Sequence, residues 1–314
     1  MNELEIYYFF KLLSLKGIGP VFLNKFIHSI NYPNKKFDYL IKNEIEILEK
    51  YFNESQLESL KKFDQSLMDQ INKLLEIGAS FVNITQSEYP IKIKNTLKYL
   101  SPPILTFKGD FNLINNISVG FCGSRKASEK GISVAKDCTQ QLTGKKINIV
   151  SGYASGIDQI THYTALESGG KTIIVLPEGL LHFRIKSKLK DVWDWGRVLV
   201  ISEFLPNASW TTSRAMTRNN TIIGASDAMI LIEARENGGS IDAGRKTLKF
   251  NKKLFAPVYE GMPDFAIGNK ILIEQGAIEI KRSIQTKRAN LEKLFKFLKD
   301  SNYLNNEKQL KIAF

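Results

Sequence analysis

The chain has 314 residues, 43% of them hydrophobic and 24% charged, a composition that suits a folded globular protein and excludes a disordered one. Its formal net charge of +12 leans toward a polyanionic partner, although abundant lysine and asparagine also mark an A/T-rich genome, so charge alone does not select nucleic acid. Cys122 and Cys138 are its only cysteines, which gives neither a disulfide framework nor a metal site and points to a reducing, cytoplasmic compartment.

Met1–Glu5 is acidic where a secretory leader would be basic. The longest apolar runs, such as Thr172–Leu176 and Ala228–Ile232, are far too short to span a bilayer, so no membrane partner is expected. Residues 1–80 read as a helical domain, with Leu12, Leu13, Leu15, Ile18, Phe22 and Phe26 at helical spacing. Gly17-Ile18-Gly19-Pro20 interrupts them in the manner of a helix-hairpin-helix motif, whose backbone N–H groups can meet a phosphate. An ordinary helix–helix turn with Pro20 at the first helical position fits equally. Leu48–Ile77 reads as further amphipathic helix ending near Gly78. A connecting segment, residues 81–112, follows and is stopped from being helical by Pro102-Pro103.

From Ile117 the pattern alternates. Apolar runs at Ile117–Cys122, Ile147–Val150, Thr172–Leu176, Val198–Ser202, Ala228–Ile232 and Lys253–Pro257 are separated by helical or loop sequence. The expected fold is α/β: a Rossmann-like, mostly parallel sheet with helices on both faces, spanning residues 113–282. Residues 283–314 read as a short basic helical tail in which Leu291, Leu294, Phe295 and Leu298 share a face.

Ligands of such sheets bind at the carboxyl ends of the strands, and four polar clusters fall there. Gly123-Ser124-Arg125-Lys126 puts a tight turn, a hydroxyl and a guanidinium at a helix start, where a phosphate could sit. Ser151-Gly152-Tyr153-Ala154-Ser155-Gly156 forms another strand-to-helix turn, with spacing that is wrong for a dinucleotide fingerprint. Asp158 and His162 share the next helix face, either as a catalytic pair or as structure. Arg214 and Arg218 lie four apart beside Asn219, able to grip adjacent phosphates, and Gly238-Gly239-Ser240 opens a helix with a nest of N–H groups. No P-loop, no Gly-x-Ser-x-Gly elbow and no zinc spacing is found, so neither a cofactor nor an enzymatic role is expected.

The order of these clusters resembles the DNA-processing protein A family (DprA, also called Smf). The matching stretches are Gly123–Ser128, Ser151–Asp158 with His162, Gly169-Gly170-Lys171 with the strand that follows, Ser202-Glu203, Arg218–Gly224 and Gly238–Ser240, over about 130 residues. The resemblance implies a homodimer that binds single-stranded DNA without sequence preference and delivers it to a RecA-type recombinase. By the same resemblance Ser124, Arg125, the loop from Gly152 to Gly156 with Ser155, Arg218, Asn219 and Gly238–Ser240 would line the DNA pocket. Lys126 and Lys171 would extend its rim, and Tyr153, which replaces the family's leucine, would offer a stacking platform. The chain departs from the family in the loop after Leu176 and in Asn207–Thr212, which leaves open a divergent member in mobile-element defence. Other Rossmann-like relatives leave open a nucleotide sensor or nucleoside-monophosphate hydrolase, although the Pro-Gly-Gly-x-Gly-Thr-x-x-Glu pattern of those hydrolases is only partly matched around Gly238.

Overall fold

A computed structural model describes residues 1–301. The first 76 residues form six helices: α1 Glu3–Ser14, α2 Pro20–Ser29, α3 Phe37–Asn43, α4 Ile45–Glu49, α5 Glu54–Lys61 and α6 Gln65–Glu76. Their starts are written in the sequence. Asn2 and Glu5 close a reciprocal capping box at α1, with the Glu5 N–H donating to Asn2 Oδ1 at 2.9 Å and the Asn2 N–H donating to the Glu5 carboxylate at 3.0 Å. Asn53 and Gln56 do the same at α5, and Asp64 caps α6. The single amphipathic stretch expected over Leu48–Ile77 is therefore the end of α4 followed by two separate helices, α5 and α6. Asn53 and Asp64 satisfy orphan N–H groups at helix starts better than they serve inside a helix. Gly78, at φ +77°, closes α6.

Gly17, at φ +84°, turns the chain between α1 and α2, with Pro20 in the first turn of α2. The second helix is tied down by Asn24, whose buried Nδ2 donates to the carbonyls of Tyr99 at 2.9 Å and Ser101 at 2.8 Å. Asn24→Ala removes the donor for both carbonyls and is expected to lower unfolding free energy by about 1–3 kcal/mol in urea titration.

The remaining described residues build one nine-stranded sheet. Its strands are β1 Ser80–Asn83, β2 Ile104–Gly109, β3 Ser118–Gly123, β4 Asn148–Ser151, β5 Thr172–Val175, β6 Val198–Ser202, β7 Ala228–Ile232, β8 Lys253–Pro257 and β9 Ile278–Ile280, in the order β1-β2-β6-β5-β4-β3-β7-β8-β9. From β6 to β9 across the sheet every pairing is parallel, and β1 and β2 are antiparallel. The segment read as a connector thus adds two strands to one edge. The central strands are largely apolar, and β4 to β7 are wholly buried, as a sheet covered on both faces requires.

Helices α8 Glu129–Gly144 and α9 Ile157–Glu167 cover one face, with Ala135, Cys138, Leu142 and Ile157 in that layer of core. Residues 292–301 are helical, and Leu291, Leu294, Phe295 and Leu298 pack into the same layer, which is the shared face expected. Residues 302–314 of the expected tail lie outside the described residues. The opposite face carries α7 Ile91–Leu97, α10 Thr212–Ala225, α11 Gly239–Lys249 and α12 Gly268–Glu274, whose core is continuous with that of the N-terminal helices. No helix among the described residues is long and apolar enough to cross a membrane.

This topology fixes where a ligand can go. From β3 the chain steps through β4, β5 and β6 in one direction, then crosses back to place β7 on the other side of β3. Pairing of Gly123 with Ile232 brings the carboxyl ends of β3 and β7 level. The next helices, α8 and α11, leave to opposite faces and open a crevice there.

Candidate nucleic-acid interface

A cavity of about 430 Å³ occupies that crevice. Its floor and walls come from three of the four polar clusters: Gly123–Lys126 after β3, Arg218 and Asn219 on α10, and Gly238–Ser240 at the start of α11, with Ala154 and Asp158 from the second cluster beside them. A recess of about 230 Å³ shares Arg125, Ala154, Trp210 and Arg218 with this cavity and adds Tyr153, Ser155 and Lys186. The clusters are distant in sequence and meet because each follows a parallel strand.

Three glycines here have a specific reason. A side chain at Gly123 would meet the Ile232 carbonyl at 2.4 Å, so β3 and β7 could not end side by side. Gly156, at φ +78°, lets the β4–α9 turn lie against the backbone of Ser124 and Arg125. Gly152 lies under the Arg218 guanidinium, which a Cβ would meet at 2.2 Å. Gly152 is thus a space left for an arginine rather than a phosphate contact.

The cavity gathers hydrogen-bond donors and positive groups. Helix α11 starts at Gly238 with no side chain capping it, so its first N–H groups and the positive end of its dipole are available. Ser240 is not spent on its own helix start; its hydroxyl donates to the Gly123 carbonyl at 2.9 Å and pins α11 to β3. The Ser124 hydroxyl accepts the Lys126 N–H at 3.1 Å, which shapes the turn that carries Arg125. Arg125, Lys126, Arg218 and Arg235 line the cavity against two carboxylates, Asp158 and Glu233.

The two arginines of α10 divide their work. Arg218 is 5% exposed, donates to the Val175 carbonyl and keeps a buried Nε without a partner. Burial lowers the pKa of its guanidinium, which Asp158 and Glu203 partly offset. Arg214 turns away to the Ser209 carbonyl and lines neither cavity, so the expected paired grip by Arg214 and Arg218 is not formed. Lys171 precedes β5 and lies at the amino end of the sheet, opposite the crevice, so it does not extend the rim. Asn219 reaches the Gly239 carbonyl at 3.4 Å and ties α10 to α11.

Tyr153 is engaged rather than open. Its hydroxyl donates to the Arg184 carbonyl at 3.2 Å and accepts the Lys186 N–H at 2.9 Å, while Lys186 Nζ lies over its ring at 4.4 Å. Phe183, Trp193 and Trp195 continue this cluster, so the reshaped loop after Leu176 is a packed element. The aromatic side chain that does stand at the cavity mouth is Trp210, 46% exposed, with the Arg125 guanidinium 5.6 Å from its ring centre. Sequence reasoning places Trp210 only in a divergent segment. Its one signal is a tryptophan in a polar stretch just before the arginine helix.

Asp158 and His162 do not form a pair. Asp158 accepts the Ala154 N–H at 3.2 Å. His162 is fully buried, with Nε2 at 2.6 Å from the Gly152 carbonyl and Nδ1 at 2.6 Å from the Thr172 hydroxyl. Since a carbonyl only accepts, Nε2 carries the proton of the neutral ring. Burial pushes the His162 pKa down to about 4. Glu233, directly after β7, is wholly buried at φ +53°, and its carboxylate accepts from the Ser128 N–H at 2.8 Å and from the hydroxyls of Ser128 and Tyr259. Among the described residues no group of three His, Cys, Asp or Glu side chains comes together to hold a metal.

The family model for DNA recombination-mediator protein A matches residues 80–291. DNA processing protein DprA of Bacillus subtilis is 29% identical over 204 residues, a stretch covering 64% of this chain and 68% of the relative. That of Streptococcus pneumoniae is 33% identical over 184 residues, covering 57% of this chain and 64% of the relative, so the match spans about two thirds of these proteins' lengths. The solved pneumococcal DprA structure superposes with a TM-score of 0.74 at 25% identity, covering 89% of this chain and 95% of that one. The structure of DNA processing protein A from Helicobacter pylori, solved for its single-stranded DNA binding mode, shares the fold with a TM-score of 0.55 at 21% identity, covering 73% of this chain and 97% of that one.

Proposed function

The chain belongs to the DNA recombination-mediator protein A family, and from that footing we propose that it binds single-stranded DNA without reading its sequence. The observation that carries this reading is the crevice at the ends of β3 and β7. There the uncapped start of α11, the Arg125 guanidinium and the exposed Trp210 ring border one cavity. Phosphate binds to N–H groups and guanidinium whatever base it carries, and a base stacks on an indole whatever its edge, so this chemistry holds a strand and leaves its sequence unread. The single-strand binding described for the Helicobacter relative supports the same ligand. The family likeness further supports DNA processing as a homodimer that passes the strand to a RecA-type recombinase.

Arg125 is exposed, so Arg125→Ala should leave the unfolding midpoint unchanged. Without its charge-assisted bond to a phosphate, the variant should bind a labelled oligothymidylate about tenfold more weakly, read by fluorescence anisotropy. The slope of log affinity against log salt should fall by about 0.7, the share of one single-strand phosphate that the variant leaves to its counterion. Wild-type affinity in the variant would sink the pocket assignment. Tight binding of free mononucleotides in place of oligonucleotides would transfer the site to a nucleotide ligand.

A further inference from the structure

A second cavity, of about 420 Å³, adjoins the first. Glu233 lines the first and Tyr259 the second, and the bond from the Tyr259 hydroxyl to the Glu233 carboxylate is the partition between them. Lys126 on the first wall lies just before α8, and Lys130 on the second lies in its first turn. One side of the second cavity is α8 and the other is the segment 281–290, which folds back on itself as a hairpin. The Ser283 N–H donates to the Arg288 carbonyl at 2.7 Å, the Asn290 N–H to the Lys281 carbonyl at 2.8 Å, and Arg282 bridges to Ala289.

That hairpin carries Lys281, Arg282, Lys287 and Arg288 and no acidic residue. The carboxylate in the cavity lining, Asp137, already accepts from Arg288 and from the Ala289 N–H. Among the described residues, Lys130, Arg282 and Lys287 have no carboxylate within ion-pair distance. Lys130 rests on a carbonyl, that of Glu260, and Arg282 on that of Lys287. Ile284 stands at the hairpin tip, 86% exposed.

We propose that this groove is a second binding site for the sugar-phosphate backbone of single-stranded DNA, taking the nucleotides that run on past the Glu233–Tyr259 partition from the strand held beside Arg125. It rests on the reading of the Arg125 cavity as a single-strand site. Cations on two facing walls, spaced along a groove that abuts the first, follow an extended polyanion; a lone small anion would need them to converge. The bare Ile284 side chain gives an unstacked base an apolar surface beside those charges.

The test compares oligothymidylates of about 6 and about 25 nucleotides, the shorter within the range one binding fold holds and the longer beyond it. The double variant Arg282→Gln, Lys287→Gln alters exposed side chains of a hairpin whose backbone bonds persist. It should bind the short strand as wild type does and the long strand about tenfold more weakly. The salt slope on the long strand should fall by about 1.4, for two single-strand phosphates no longer neutralised. Unchanged long-strand affinity would overturn the second groove, and so would equal weakening of both lengths. Arg125→Ala separates the two readings. If it spares the short strand while the hairpin variant still weakens the long one, the first cavity has been misassigned and the groove stands by itself.

Discussion

Gly156→Ala should cost about 4 kcal/mol of unfolding free energy in urea titration and abolish oligonucleotide binding at once, combining backbone strain and overpacking of about 1–3 kcal/mol each. Two effects add at this position. The backbone sits at φ +78°, which side chains rarely adopt, and the new methyl would lie 2.3 Å from the Ser124 carbonyl oxygen and 2.7 Å from that of Arg125. Both obstacles are backbone, so no side chain can swing away. Relief requires the turn carrying Arg125 to part from the start of α9, which breaks the bond from the Ile157 N–H to the Ser124 carbonyl at 3.2 Å. Gly169→Ala is the matched control. Its φ is +72°, and nothing lies within 4 Å of its Cβ position, so it carries the strain alone and should cost about 1 kcal/mol while leaving binding intact. Equal losses in the two variants would show that the close approach at Gly156 does not shape the site.

The contrast between these two glycines shows where sequence reading stops. Both lie in glycine-rich stretches next to strands, and both take a positive φ. What separates them is a carbonyl more than thirty residues away in the chain, at Ser124, which no local pattern reveals. The central strands were legible because burial on both faces demands unbroken apolar runs, as in Ala228–Ile232. The two antiparallel strands were not. Ser80–Asn83 is a short, partly exposed edge strand, and Ile104–Gly109 starts directly after Pro102-Pro103, so both read as a connector.

The same divide runs through the candidate site. Cluster positions followed from the parallel sheet, since each strand end must reach the crevice, and Arg125, Arg218 and Gly238–Ser240 do meet there. Side-chain direction did not follow. Helical spacing puts Arg214 and Arg218 on one face, but a turn of helix separates a buried guanidinium under the cavity from one held at Ser209. Lys171 shares a motif with the strand it precedes, yet a residue before a parallel strand must lie at the opposite end from a residue after it. Tyr153 is engaged and Trp210 exposed because the loop after Leu176 packs its own aromatic side chains against Tyr153 and leaves Trp210 at the mouth.

Two titratable groups that feel Arg218 should oppose each other in pH, His162 wholly buried and Glu203 partly so. Burial pushes the Glu203 carboxyl up to about 7, held back by the Thr221 hydroxyl at 2.8 Å and by Arg218, and the same burial pushes His162 down to about 4. For Glu203 the folded pKa lies above the unfolded value of 4.5. The folded state therefore binds the extra proton, and acidification from pH 7 to 4.5 stabilises it by about 3 kcal/mol. For His162 the folded pKa lies below the unfolded 6.5. There the unfolded state takes the proton first, so acidification from pH 6.5 to 4 removes about 3 kcal/mol. The two slopes cancel in the wild type over their common window, pH 6.5 to 4.5. Single variants should expose them in urea titrations across pH: Glu203→Gln losing stability as the solution is acidified, His162→Gln gaining it. Slopes of the same sign in both variants would show that these two groups do not set the acid response. With both present, the fold keeps its stability through mild acid.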